Sequence, residues 1–163
     1  MRAVREGQPI VEHPNRDKPS SKVVRVAVIT LLVASAALIA VILVGGWNVR
    51  QGMTLPSIAW IAAYLVFAVY VARWNRGVLP VTAALAVIMM VFGVIAVPAW
   101  IDRDAPGFAE PALSSGLLGA LTAILVAVQA LLAVVAMHGF HQAWNVEVEV
   151  WPDEGPLAPP HDA

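Results

Sequence analysis

Asp, Glu, Lys and Arg are absent from four long stretches of this chain: residues 26–49, 51–72, 77–101 and 111–146. Crossing the hydrocarbon core of a bilayer takes about 20 helical residues, so each stretch is long enough to span it. The pattern predicts an all-α integral membrane protein. Its core is a four-helix bundle of up-down-up-down topology with flexible polar N- and C-terminal tails. The spans fall at about residues 23–45, 55–73, 78–100 and 116–140, which together make one transmembrane domain, 23–140.

Local residues set the boundaries. Gly45 and Gly46 end the first span, and Trp47 follows at headgroup level. Pro56 and Pro80 sit in first turns, where a missing N–H costs least. Trp60, Tyr70 and Trp74 lie toward the ends of the second span, as aromatic-belt residues do. The turn at residues 73–77 is short, which makes spans two and three an antiparallel pair. Pro98 should kink or end the third span. Ser114 or Ser115 can cap the fourth.

Residues 1–22 mix charges with prolines and serines and read as a disordered tail. After the fourth span the period changes from helical to alternating. Val146, Val148 and Val150 alternate with Glu147 and Glu149, a strand pattern over residues 145–151. A lone strand is unstable. This one is either an extended acidic tail or an edge that adds to a partner's sheet. The proline-rich residues after it read as disordered, so 141–163 is an acidic tail.

Composition narrows the class. Sixty per cent of the 163 residues are hydrophobic and 13% are charged, too few charges to cover a soluble domain. The net charge of −1 carries no nucleic-acid footprint. With no cysteine, thiolate chemistry, iron–sulfur ligation and cysteine zinc sites are excluded. The N-terminal polar stretch and the first apolar run are both too long for a typical signal peptide, and the run reads as a retained anchor.

Basic residues orient the chain. Eight of them lie in the N-terminal tail and the turn after span two, against two, Arg50 and Arg103, in the other loops. The positive-inside rule then places both termini in the cytoplasm of a bacterial cell, in its inner membrane. The Ala/Val-rich composition is the hint for a bacterial source.

The fourth span carries the clearest faces. Gly116, Ala120, Ala123, Ala127 and Ala130 form one small-residue stripe, which is the expected helix-contact face, since packing drives association in lipid. Leu118, Leu121, Leu125, Val128, Leu132 and Val135 lie opposite and are expected to face lipid. Gln129 breaks this division. It is an amide deep in the span, away from the stripe, and needs a hydrogen-bond partner such as Thr82, or a second neighbouring helix or subunit.

Chemistry is sparse. No acid or base lies inside the spans, which disfavours ion-coupled transport. His138 and His141, one turn apart, are the candidate metal ligands, and a site there lacks a third ligand. Asp102 and Asp104 carry only the start of a calcium-loop pattern. No catalytic residue, cofactor or bound metal is expected. The sequence therefore points to a structural, accessory or assembly subunit of a larger membrane complex, whose partners are the lipid bilayer and a protein or second copy docked through span four. An oligomeric carrier or channel for a neutral or apolar solute is the alternative, and a histidine-based metal or redox protein the third.

Overall fold

A computed structural model of the chain describes residues 10–49 and 52–150. The expected strand residue Trp151, the tail after it, residues 1–9, Arg50 and Gln51 lie outside the described residues. A short strand β1 (Ile10–Glu12) and one turn of helix α1 (Pro14–Asp17) lead into α2 (Pro19–Gly45). Then come α3 (Thr54–Ala72), α4 (Val78–Ile101), α5 (Ser115–His141) and a strand β2 (Val148–Val150). The four long helices are each long and apolar enough to cross a membrane. They form an all-α bundle with residues 10–18 and 142–150 together at one end, the tail end. The connections α2–α3 and α4–α5 lie at the other, the loop end.

Residues 10–22 do not form the flexible tail expected of them. Pro19 occupies the first turn of α2, so the helix starts four residues before Val23. Proline is suited to that position because its fixed φ matches a helix and its missing N–H would be unsatisfied there anyway. β1 pairs antiparallel with β2, with Ile10 opposite Val150 and Glu12 opposite Val148. The strand legible in the alternation of residues 146–150 thus finds its partner in the chain's own N-terminal segment. At the other boundary, Ser114 Oγ accepts the Leu117 N–H and caps α5. α4 continues through Pro98 for one more turn, to Ile101.

Neighbouring spans do not all pack together. α2 lies between α3 and α5, and α4 lies along α5. α3 and α4 run antiparallel, but they touch little beyond their shared turn. The tight turn sets direction only. The chain then splays toward the loop end, leaving a cleft between the two helices.

α4 and α5 approach closely at Gly93. A methyl group placed there would come within 2.5 Å of Val126 Cγ2. Gly93→Ala is expected to destabilise the bundle by about 1–2 kcal/mol through overpacking. Val126→Ala in the same chain should recover most of that loss. Reversible unfolding in mixed micelles measures both, and a G93A variant that melts like wild type would refute the close approach.

The inward face of α5 is Leu118, Thr122, Leu125, Gln129, Leu132 and Ala136, all buried. This corrects the expected assignment. Gly116, Ala120, Ala123, Ala127 and Ala130 are exposed on the outside of the four helices. The two stripes share the same alternation of three and four residues and lie on opposite sides of the helix. Gln129 and Thr122 decide between them, because a polar side chain turned toward hydrocarbon forfeits its partners.

Candidate functional site

Gln129 sits at the middle of α5 with no exposed surface. Its Oε1 accepts a hydrogen bond from the Tyr64 hydroxyl of α3 at 2.6 Å. Its Nε2 donates to Ser35 Oγ of α2 at 2.8 Å. Ser35 in turn donates to the Leu31 carbonyl one turn back, at 2.7 Å. Tyr64 and Ser35 are as fully buried as Gln129. The amide therefore ties three helices together at mid-height, where low polarity strengthens a connected chain of hydrogen bonds.

Thr82 is not a partner of Gln129 and takes no part in this hydrogen-bond network. It lies one turn into α4, far from the middle of the bundle, and donates to its own Val78 carbonyl at 2.9 Å. Thr122 does likewise to Leu118 at 2.7 Å. The relay carries no charged group and closes on a backbone carbonyl. It links helices sideways at one depth and offers no path along the membrane normal.

A second cluster closes the tail end. Trp144 follows α5 and is fully buried. It meets Trp74 edge-on, ring centroids 5.3 Å apart, and seats against Gly139, where an added methyl would stand 3.3 Å from its ring. Trp74 ends α3 with a φ of 61°. Asn75 N–H bonds the Tyr70 carbonyl and Trp74 N–H bonds that of Val71, the Schellman pattern that glycine normally completes.

Arginines hold this end from three sides. The Arg25 guanidinium lies 4.5 Å from the Trp74 ring centroid and donates to the Ala72 carbonyl at the end of α3. Arg76 donates to the Phe140 carbonyl of α5 at 2.6 Å and to Asn145 Oδ1 at 2.9 Å, with its guanidinium over the Phe140 ring. Arg16 donates to the Trp144 carbonyl at 2.9 Å, beside an Asn15 bond to the Ala143 carbonyl. Helix C-termini leave carbonyls unpaired and carry partial negative charge, so cationic donors satisfy both demands. Basic residues that the positive-inside rule counts only as topology markers thus also staple the helix ends and hold the β1–β2 ribbon, which would be marginal alone.

His138 and His141 lie on exposed surface at the end of α5. No group of three metal-ligating side chains forms among the described residues. His141 makes an edge contact with Phe140, centroids 6.3 Å apart. Asp102 and Asp104 belong to a single 3₁₀ turn that follows α4.

Neither the relay nor the tail-end cluster was legible as a site. The strand alternation, the two tryptophans and the arginines were visible separately, but no spacing rule joins residue 16 to residue 144 or residue 64 to residue 129. Comparison with protein-family models, with curated proteins and with solved structures finds no match.

Proposed function

We propose that this protein is a structural or assembly subunit of a larger bacterial membrane complex, held in the inner membrane with both termini cytoplasmic. The observation that carries the reading is the outer face of α5. Gly116, Ala120, Ala123, Ala127 and Ala130 stand exposed there, although small residues at this spacing are what lets a second helix backbone come close in lipid. The interior favours the same reading. Ser35, Tyr64 and Gln129 satisfy one another, which stabilises a scaffold. The orientation rests on the basic residues collected at the tail end.

The test is affinity purification of the tagged full-length protein in mild detergent. Fixed partners should be recovered with wild type and lost with Ala123→Leu/Ala127→Leu, whose bulk blocks the outer face while leaving the inner one intact. Recovery of only a monomer or a homo-oligomer counts against the reading. A carrier for a neutral or apolar solute is the second reading, favoured by the cleft between α3 and α4. Solute flux into vesicles containing the purified protein alone would decide for it.

A further inference from the structure

The cleft between α3 and α4 has a volume of about 660 Å³. Ile42 of α2 and Leu125 of α5 form its back, and Trp60 and Met89 line its sides. Trp60 and Phe92 meet edge-on across it, centroids 6.1 Å apart. Phe92 is 51% exposed, so the cleft opens sideways toward the lipid rather than toward a helix neighbour. Ser57 and Thr122 also line it, but their hydroxyls are turned to the Met53 and Leu118 carbonyls of their own helices. Apart from the Trp60 Nε1–H, which is buried without a hydrogen-bond partner among the described residues, the walls short of Arg103 are apolar in effect.

Depth and charge identify what fits. From Met89 to Trp100 the helix rises about 16 Å, close to the ~15 Å of hydrocarbon in a single leaflet. Past Trp100, at the loop end, Arg103 lines the same cleft. Its guanidinium lies 5.8 Å from the Trp100 ring centroid and donates to the Val49 carbonyl at 3.3 Å. No carboxylate among the described side chains forms an ion pair with it. An arginine carries five N–H donors in a planar fork suited to phosphate oxygens, and the Val49 bond engages one of its two terminal nitrogens.

We propose that this cleft binds one phospholipid, with an acyl chain between α3 and α4 and the phosphate on Arg103. Left empty, the walls would forfeit dispersion contacts. Filled with water, Trp60, Met89, Phe92 and Leu125 would be wetted at about 25 cal/mol per Å². An acyl chain incurs neither cost, and it places a phosphate where the one cation of this end stands among the described residues. The assignment is independent of the complex proposed above, because it concerns the opposite side of the bundle from the α5 stripe.

The experiment takes full-length protein from vesicles of equal parts phosphatidylcholine and phosphatidylglycerol into maltoside detergent, which has no phosphate. Native mass spectrometry then counts retained lipids. Wild type should keep one phosphatidylglycerol. Arg103→Gln should lower its occupancy about fivefold, the factor expected for one cationic side chain beside an anionic headgroup. Ala96→Phe, which fills the slot from α4, should reduce both lipids to background. Unchanged occupancy in either variant overturns the assignment, as does a second protein chain retained in place of lipid. A measurement on wild type alone guards against a variant that fails to fold. Brominated phosphatidylglycerol should quench the tryptophan emission more than brominated phosphatidylcholine, and equal quenching would remove the role given to Arg103.

Discussion

Gln129→Ala should destabilise the bundle by about 3 kcal/mol, most of it from lost packing, since truncating a buried side chain of this length costs about 2–5 kcal/mol. Hydrogen bonds between membrane helices contribute only about 0.6 kcal/mol each on average. Gln129→Met keeps the volume and forfeits both the Tyr64 and the Ser35 bonds, so it should cost about 1 kcal/mol. Tyr64→Phe loses one bond and should cost about half of that. Because Tyr64 and Gln129 share a bond of 2.6 Å, the double variant Y64F/Q129M should fall short of the sum of the singles. Reversible unfolding in mixed micelles measures all four. Strict additivity would mean that the two side chains are merely neighbours.

The tail-end cluster predicts a loss of similar size with a different signature. Trp144→Ala removes a fully buried indole and should cost about 3 kcal/mol, the low end for tryptophan truncation because the site lies at the end of the bundle. Its edge contact with Trp74 accounts for about 1 kcal/mol of that. The distinguishing effect is local. Without Trp144 the Arg16 and Asn15 bonds to the chain after α5 lose their seat, and the β1–β2 ribbon should open. Hydrogen exchange at residues 10–12 and 148–150 should accelerate far more than at the Gln129 level of α5. Trp74→Gly is the contrasting variant. It relieves a left-handed backbone cost of about 1–2 kcal/mol while removing the ring that Trp144 and Arg25 pack against, so its net effect should be small. Ribbon exchange that stays at the wild-type rate in W144A would show that the strands hold themselves.

The outcome on α5 shows how far periodicity reaches. The stripe through Gly116, Ala120, Ala123, Ala127 and Ala130 and the stripe through Leu118, Thr122, Leu125, Gln129 and Leu132 have the same spacing. Small residues argued for the first as the inner face, and the buried stripe proved to be the second. The discriminating residue was Gln129. A single amide in an apolar span outweighs five small side chains, because hydrocarbon offers it no substitute partner while alanine tolerates lipid well. A small residue that does set a close approach within the bundle is Gly93 on α4, on the buried face it shares with Ala83 and Ala86 and outside the α5 stripe.

The alternation of Val146, Val148 and Val150 was readable as a strand, but its partner was not. Strand pairing depends on which segments a fold brings side by side, and residues 10–12 lie more than a hundred positions away. The cleft was illegible for the same reason. The five-residue turn at 73–77 determines that α3 and α4 run in opposite directions, and their divergence follows from α4 packing along α5 instead.

By itself the sequence determined the solvent and the count: four charge-free runs of helical length admit hydrocarbon as their surroundings and one helix each, because backbone polar groups in lipid must bond within their own segment. Tertiary structure alone decided which faces look inward, that Ser35, Tyr64 and Gln129 meet, that the arginines of the tail end bond carbonyls at the helix ends, and that a slot remains between α3 and α4. The physical reason is one of range. Insertion depends on the sum of local residue properties, whereas packing depends on shape and hydrogen-bond complementarity between segments that the chain order leaves far apart.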